Sequence, residues 1–155
     1  MASHHPHDTY SDSAEFPRLI ALVFGVVFLL VGIAGFIPGI TTHYGDMEFA
    51  GHMSDAKLLG IFEVSILHNI VHLAFGVAGL VLSRAARSAA MYLLVGGLIY
   101  AVVWVYGLAV GDDSDANFVP LNTADNWLHF LLALAMIVLG VVSLRSIRTH
   151  GARLR

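Results

Sequence analysis

Between Arg18 and Ile37 the chain reads RLIALVFGVVFLLVGIAGFI, a single cation followed by nineteen residues without an ionisable group. The hydrocarbon core of a bilayer is about 30 Å thick and takes about 20 predominantly apolar helical residues to cross. This stretch has that length. Three more stretches match it, so the spans are expected at residues 18–37, 58–82, 89–110 and 125–144. Pro38-Gly39 ends the first, Ser83-Arg84-Ala85-Ala86-Arg87 separates the second from the third, and Gly111-Asp112-Asp113 closes the third. At the fourth, Asn122 or Thr123 supplies the N-cap, with Asp125 in the first turn where the helix dipole favours an anion. The fold class is therefore all-α, a bundle of four transmembrane helices over residues 17–145, with a disordered tail at 1–16 and a basic tail at 146–155.

Composition requires the same solvent. Of 155 residues, 57% are hydrophobic and only 12% are charged, against roughly 25% charged in ordinary globular domains. The mean hydropathy is +0.77. A net charge of -3 gives no basic field for a nucleic-acid backbone, so nucleic acid is excluded as a partner and the lipid bilayer takes its place. With no cysteine, disulfides, thiolate metal sites and covalently attached haem are excluded too.

Cations set the expected orientation, because short flanking segments rich in Lys and Arg stay in the cytoplasm. Arg18, Arg84, Arg87, Arg145, Arg148, Arg153 and Arg155 flank one set of helix ends, and Lys57 alone flanks the other. A multi-pass protein of the plasma membrane with both termini cytoplasmic follows. The outer loops then carry Asp46, Glu48 and Asp55, and Asp112, Asp113 and Asp115, an acidic face. A cleaved signal peptide is the rival reading of the first span. Its apolar run is longer than the usual h-region of about 7–15 residues, Asp8, Asp12 and Glu15 precede it, and no small-residue cleavage site comes before Pro38. His4, His5 and His7 in the tail offer weak metal ligands on a solvated segment.

Lipid gives helices no hydrophobic reason to associate, so small residues and interhelical polar contacts mark the seams. Gly25, Gly32 and Gly35 punctuate the first span; Gly76 and Gly79 the second; Gly96, Gly97 and Gly107 the third; Gly140 the fourth. Trp104, Tyr100, Tyr106 and Trp127 read as interface anchors or packing groups. His68-Asn69-Ile70-Val71-His72 and Asp125-Asn126-Trp127-Leu128-His129 share Asn-x-x-His, which suggests a two-helix unit repeated in parallel.

The same two segments hold polar groups that do not belong in hydrocarbon. On insertion scales an Asp at a helix centre costs about 2.5–3.5 kcal/mol. Glu63, His68, Asn69 and His72 fall in the second expected span and Asp125, Asn126 and His129 in the fourth. His68 precedes Arg84 by sixteen residues and His129 precedes Arg145 by sixteen, which places both imidazoles about 24 Å above the inner boundary. Glu63 and Asp125 form a layer just above. His68 and His72 are four apart and share a face, as do Asp125 and His129. Those faces are expected to meet, second helix against fourth, with carboxylates orienting the imidazoles. Aligning the motifs pairs His72 with His129 instead, one turn from the depth register, and the depth register is taken for contacts.

Four roles are open to this cluster. As structure, it fixes helix neighbours through interhelical hydrogen bonds. As a cofactor site, it offers His68, His72, His129, Glu63 and Asp125, supported by Asn69 and Asn126, as ligands for Zn, Fe or Mn, or axial ligands for one b-type haem. As a proton or ion pathway, it would open to the acidic face and belong to a transporter-like oligomer; the second span has no ionisable group from Leu73 to Leu82, so one chain lacks a continuous path. Catalysis has no motif behind it, since no nucleophile elbow, P-loop, HExxH or dinucleotide fingerprint occurs. In the first outer loop, His43, Met47, His52 and Met53 are either a soft-metal landing site or solvated loop residues.

In its HNxxH segment at 68–72 and DNxLH-like segment at 125–129 the chain resembles a bacterial membrane-protein family, domain of unknown function 4383. The resemblance covers roughly residues 17–145 and implies four spans with this polar cluster as a common feature. It implies no activity. The expectation is a small accessory or structural membrane protein, with an enzymatic role left open behind it and a homo-oligomer or a larger membrane complex as its setting.

Overall fold

The computed structural model describes residues 6–111, 114 and 116–152. Four helices, α1 (Pro6–Ala34), α2 (Ile66–Leu82), α3 (Ala86–Ala109) and α4 (Thr123–Ala152), form an all-α bundle. Three of them contain segments long and apolar enough to cross a membrane, at Ala14–Ala34, Ala86–Ala109 and Thr123–Thr149. The outward side chains are those lipid would solvate: Leu19, Leu30, Val102, Leu108, Leu131 and Val138 are all exposed.

The second span is shorter than hydropathy suggests. α2 begins at Ile66, not at residue 58, and its seventeen residues rise about 25 Å. Leu59 (φ 55°) and Gly60 (φ 71°) take left-handed conformations, which reverse the chain. Lys57–Leu58 (β2) therefore pairs antiparallel with Phe62–Glu63 (β3), and β2 also pairs with Thr41–Thr42 (β1). Hydropathy counts apolar side chains and is blind to this reversal. Ala56, Leu58 and Val64 bury themselves against Val31, Ala34 and Met47, so the small sheet plugs one end of the bundle. The ends of the chain differ from expectation in the other direction. Residues 6–16 continue α1, with Pro6 at the first position, where its missing N–H costs nothing. Residues 146–152 continue α4.

Two antiparallel helix hairpins make up the bundle, α1 on α2 and α3 on α4. Glycines set both seams. A Cβ on Gly25 would lie 2.8 Å from the Leu80 backbone nitrogen, and one on Gly97 would lie 2.8 Å from that of Ile137. One on Gly35 would overlap the Asn69 carboxamide, and one on Gly107 that of Asn126. These four contacts repeat in register: Gly25 and Gly35 become Gly97 and Gly107 after a shift of 72, while Asn69 and Leu80 become Asn126 and Ile137 after a shift of 57. The parallel two-helix repeat is thus written into the packing.

Candidate ligand site, a three-histidine cavity

Each half of the repeat builds its part of the site in the same way. Ser65 caps α2, its Oγ accepting from the His68 N–H at 3.1 Å, and Asn122 caps α4, its Oδ1 accepting from the Asp125 N–H at 3.0 Å. One residue on, Asn69 and Asn126 press against glycines near the ends of α1 and α3. The Asn126 Nδ2 donates to the Gly107 carbonyl at 3.2 Å. Three residues further, His72 and His129 turn into the bundle, where both are buried.

Between them lie Phe28 and Tyr100, also related by the shift of 72. Their rings stack on each other with centroids 5.4 Å apart and an interplanar angle of 5°. Phe28 packs on His72 at 5.8 Å and Tyr100 on His129 at 5.4 Å. Tyr100 thus belongs to the site centre, and Phe28 with it. Sequence reasoning took Tyr100 for an anchor or packing group and gave Phe28 no role; the glycine spacing of 25 to 35 against 97 to 107 was the signal that aligns the two.

The repeat is broken at one position, and the break makes the site. His68 occupies the place that Asp125 holds in the second half. Its ring stacks on His72 at 4.6 Å and 3°, and lies 6.2 Å from His129. Both registers weighed for the motif are therefore present: the repeat matches His72 to His129, while the depth register brings His68 to His129. The α2 and α4 backbones are not a closely packed pair; only side chains bridge them.

The carboxylates are not in the cavity lining. Glu63 is in β3, not on a helix, and its Oε1 lies 3.9 Å from the Lys57 ammonium. The Asp125 Oδ2 accepts from the backbone N–H of Asn122 at 3.1 Å and of Glu63 at 3.0 Å, tying the hairpin to the start of α4. No hydrogen-bond partner reaches the Nδ1 of His68 or of His129 among the described residues. The expected carboxylate–imidazole pairing is absent at those atoms, and no group of three or more His, Cys, Asp or Glu among the described residues is arranged to hold a metal ion. In the first loop, Met47 Sδ accepts from Asn69 Nδ2 at 3.8 Å and His43 pairs with Asp55 at 3.3 Å, while Met53 is exposed. Met47 and His43 thus face different partners. His4, His5, Asp112, Asp113, Asp115, Arg153 and Arg155 lie outside the described residues, and the side chain of His7 does as well.

The three imidazoles line a cavity of about 230 Å³ between α2, α3 and α4, together with Tyr100, Phe75 and Phe118. The loop before α4 closes one side. The Tyr106 hydroxyl donates to the Ala116 carbonyl and accepts from the Phe118 N–H, and the Gly51 N–H donates to the Phe118 carbonyl at 2.7 Å. His72 has a fixed tautomer: its Nδ1 lies 3.1 Å from the His68 carbonyl, an acceptor, so Nδ1 carries the hydrogen and Nε2 keeps its lone pair. The cavity lining contains no Asp, Glu, Lys or Arg.

A four-helix bundle, three of whose helices are long and apolar enough to cross a membrane, with a cavity lined by three histidines is the class that fold and site define. The chain belongs to the family described as domain of unknown function DUF4383, whose profile matches residues 18–142. No curated protein and no solved structure matches it.

Proposed function

We propose that this chain is a small accessory protein of the plasma membrane, crossing it four times with both termini cytoplasmic, and that its three-histidine cavity holds a small uncharged ligand. One observation carries the reading. Two imidazoles buried to 7% and 4% exposure leave Nδ1 atoms without partners beside a cavity that their rings line. A buried polar group left unsatisfied costs about 1–3 kcal/mol. The Asn126 Nδ2, by contrast, finds the Gly107 carbonyl across helices. His72 keeps a bare Nε2, and each neutral neighbour ring carries one N–H and one bare nitrogen.

A divalent metal, Zn, Fe or Mn, is the second reading, favoured by the His72 tautomer, because a ligating imidazole typically donates its other N–H to a carbonyl. A b-type haem fits less well. His68 and His72 stack face to face, and the cavity is smaller than a porphyrin. The proton-path reading has no carboxylate in the cavity lining, with Glu63 beside Lys57 in the hairpin.

Native mass spectrometry, metal analysis and an optical spectrum of the untagged protein in mild detergent test the proposal. A stoichiometric small molecule is expected, lost on His68→Ala with His129→Ala while the helical circular dichroism persists. Stoichiometric Zn, Fe or Mn lost with the same substitutions would replace this reading with the metal one. A protein carrying neither would leave the imidazoles as packing groups.

A further inference from the structure

Resting on that reading, we propose that the ligand is a lipid-phase amphiphile of the isoprenoid quinone or quinol class, its ring in the histidine cavity and its chain along the groove between α2 and α3. The cavity does not end at its own walls. Phe75 and Ile99 line it and also line a groove of about 870 Å³ that follows the same seam toward the arginine end, reaching Arg87 and Ser88. Small side chains open that groove: Ala74 and Ala78 on α2 and Gly96 on α3. From the level of His68 to Arg84 is sixteen residues, about 24 Å of helix, enough for an extended chain of several isoprene units. The groove is therefore apolar along its length, with the imidazoles at one end and Arg87 and Ser88 at the other.

The polar end selects the headgroup. With no charged side chain in the cavity lining, an ionised head placed among the imidazoles would be buried without a counter-charge; an anionic head would lie at Arg87, at the far end of the groove. The flat walls of Phe75, Tyr100 and Phe118 suit a planar ring. Hydrogen-bond capacity is mixed, with a bare Nε2 at His72 and, on each neutral ring of His68 and His129, one N–H and one bare nitrogen. A quinone ring presents two acceptors to such donors, and its quinol presents hydroxyls to the bare nitrogen. A phospholipid head is too polar for a cavity among these apolar rings, and a water-soluble ligand would leave the groove unused.

Photocrosslinking in liposomes tests this. The probe is an isoprenoid benzoquinone carrying a diazirine near its chain end, with equilibrium binding of the chainless benzoquinone measured in parallel. Crosslinks are expected on 74–82 and 91–99, competed by excess unlabelled quinone and lost on His68→Ala with His129→Ala. Val95→Trp fills the groove from a position 46% exposed to lipid. It should lower crosslinking about tenfold, with chainless quinone binding and thermal stability unchanged. Crosslinks spread over the lipid faces of α1 and α4 and not competed would overturn the groove assignment, even if the chainless ring still binds through the histidines. Equal competition by a fatty acid of matched length would overturn the uncharged-head assignment. If no quinone binds but another small molecule or a metal is held by the same imidazoles, the class is wrong and the cavity's role stands. If nothing binds there, both proposals fall.

Discussion

Asn69 and Asn126 sit in equivalent halves of the molecule, each with its carboxamide laid where a glycine has no side chain. A methyl group at either glycine collides with an amide that has nowhere to go, since Asn126 is already bonded to the Gly107 carbonyl. Gly35→Ala and Gly107→Ala should each destabilise the bundle by about 1–3 kcal/mol, read as a lowered thermal midpoint in detergent. Gly45 faces open space with an ordinary φ, so Gly45→Ala should stay within about 0.5 kcal/mol of the parent. If all three behave alike, the seams are not where the carboxamides place them. His68 and Asp125 show the opposite use of one equivalent position. Aspartate at the start of α4 holds backbone N–H groups, whereas histidine at the start of α2 gives up that task and turns a third imidazole to the cavity.

At the scale of elements, two short helix starts carry the site. Ser65 and Asn122 fix where α2 and α4 begin, and a shift of one residue at either would rotate its histidine by about 100° away from the cavity. Ser65→Ala should cost about 0.5–2 kcal/mol, with Ser65→Asp restoring most of it; equal loss in both would mean the hydroxyl acts other than as a cap. Asp125 links α4 to β3 as well as capping its own helix. Asp125→Ala should therefore both lower the thermal midpoint and speed amide exchange at Glu63. Asp125→Asn, which keeps an acceptor oxygen, should do less of each. Exchange at Glu63 unchanged in the alanine variant would remove the tie between hairpin and helix.

For the whole molecule, the chain's lack of cysteine makes orientation directly testable. Single cysteines in place of Gly45 or Ala116, at the hairpin end, should react in intact cells with a thiol reagent that does not cross membranes. Cysteines in place of Ser88 or Thr149, at the arginine end, should react only after permeabilisation. The reverse pattern would invert the proposed topology and place the cavity in the cytoplasmic half of the bilayer. The loosely packed α2–α3 seam follows from the same architecture. The close glycine-to-backbone contacts fall within each hairpin, α1 on α2 and α3 on α4, so the joint between hairpins keeps the groove.

Sequence alone determined that four apolar stretches form helices, that the polar groups gather near one end, and that the Asn-x-x-His segments repeat. Hydrophobic length, charge bias and motif spacing are local properties, legible without coordinates. It also paired His68 with His129 by counting turns, because helix rise is nearly constant. Tertiary structure decided the rest. It withdrew Glu63 into a hairpin because two left-handed residues reverse the chain at Leu59-Gly60. It gave Asp125 to backbone N–H groups and brought Phe28 and Tyr100 between the histidines. Backbone reversals and side-chain partners depend on which surfaces meet in space, and a linear pattern of apolar and polar residues does not encode that meeting.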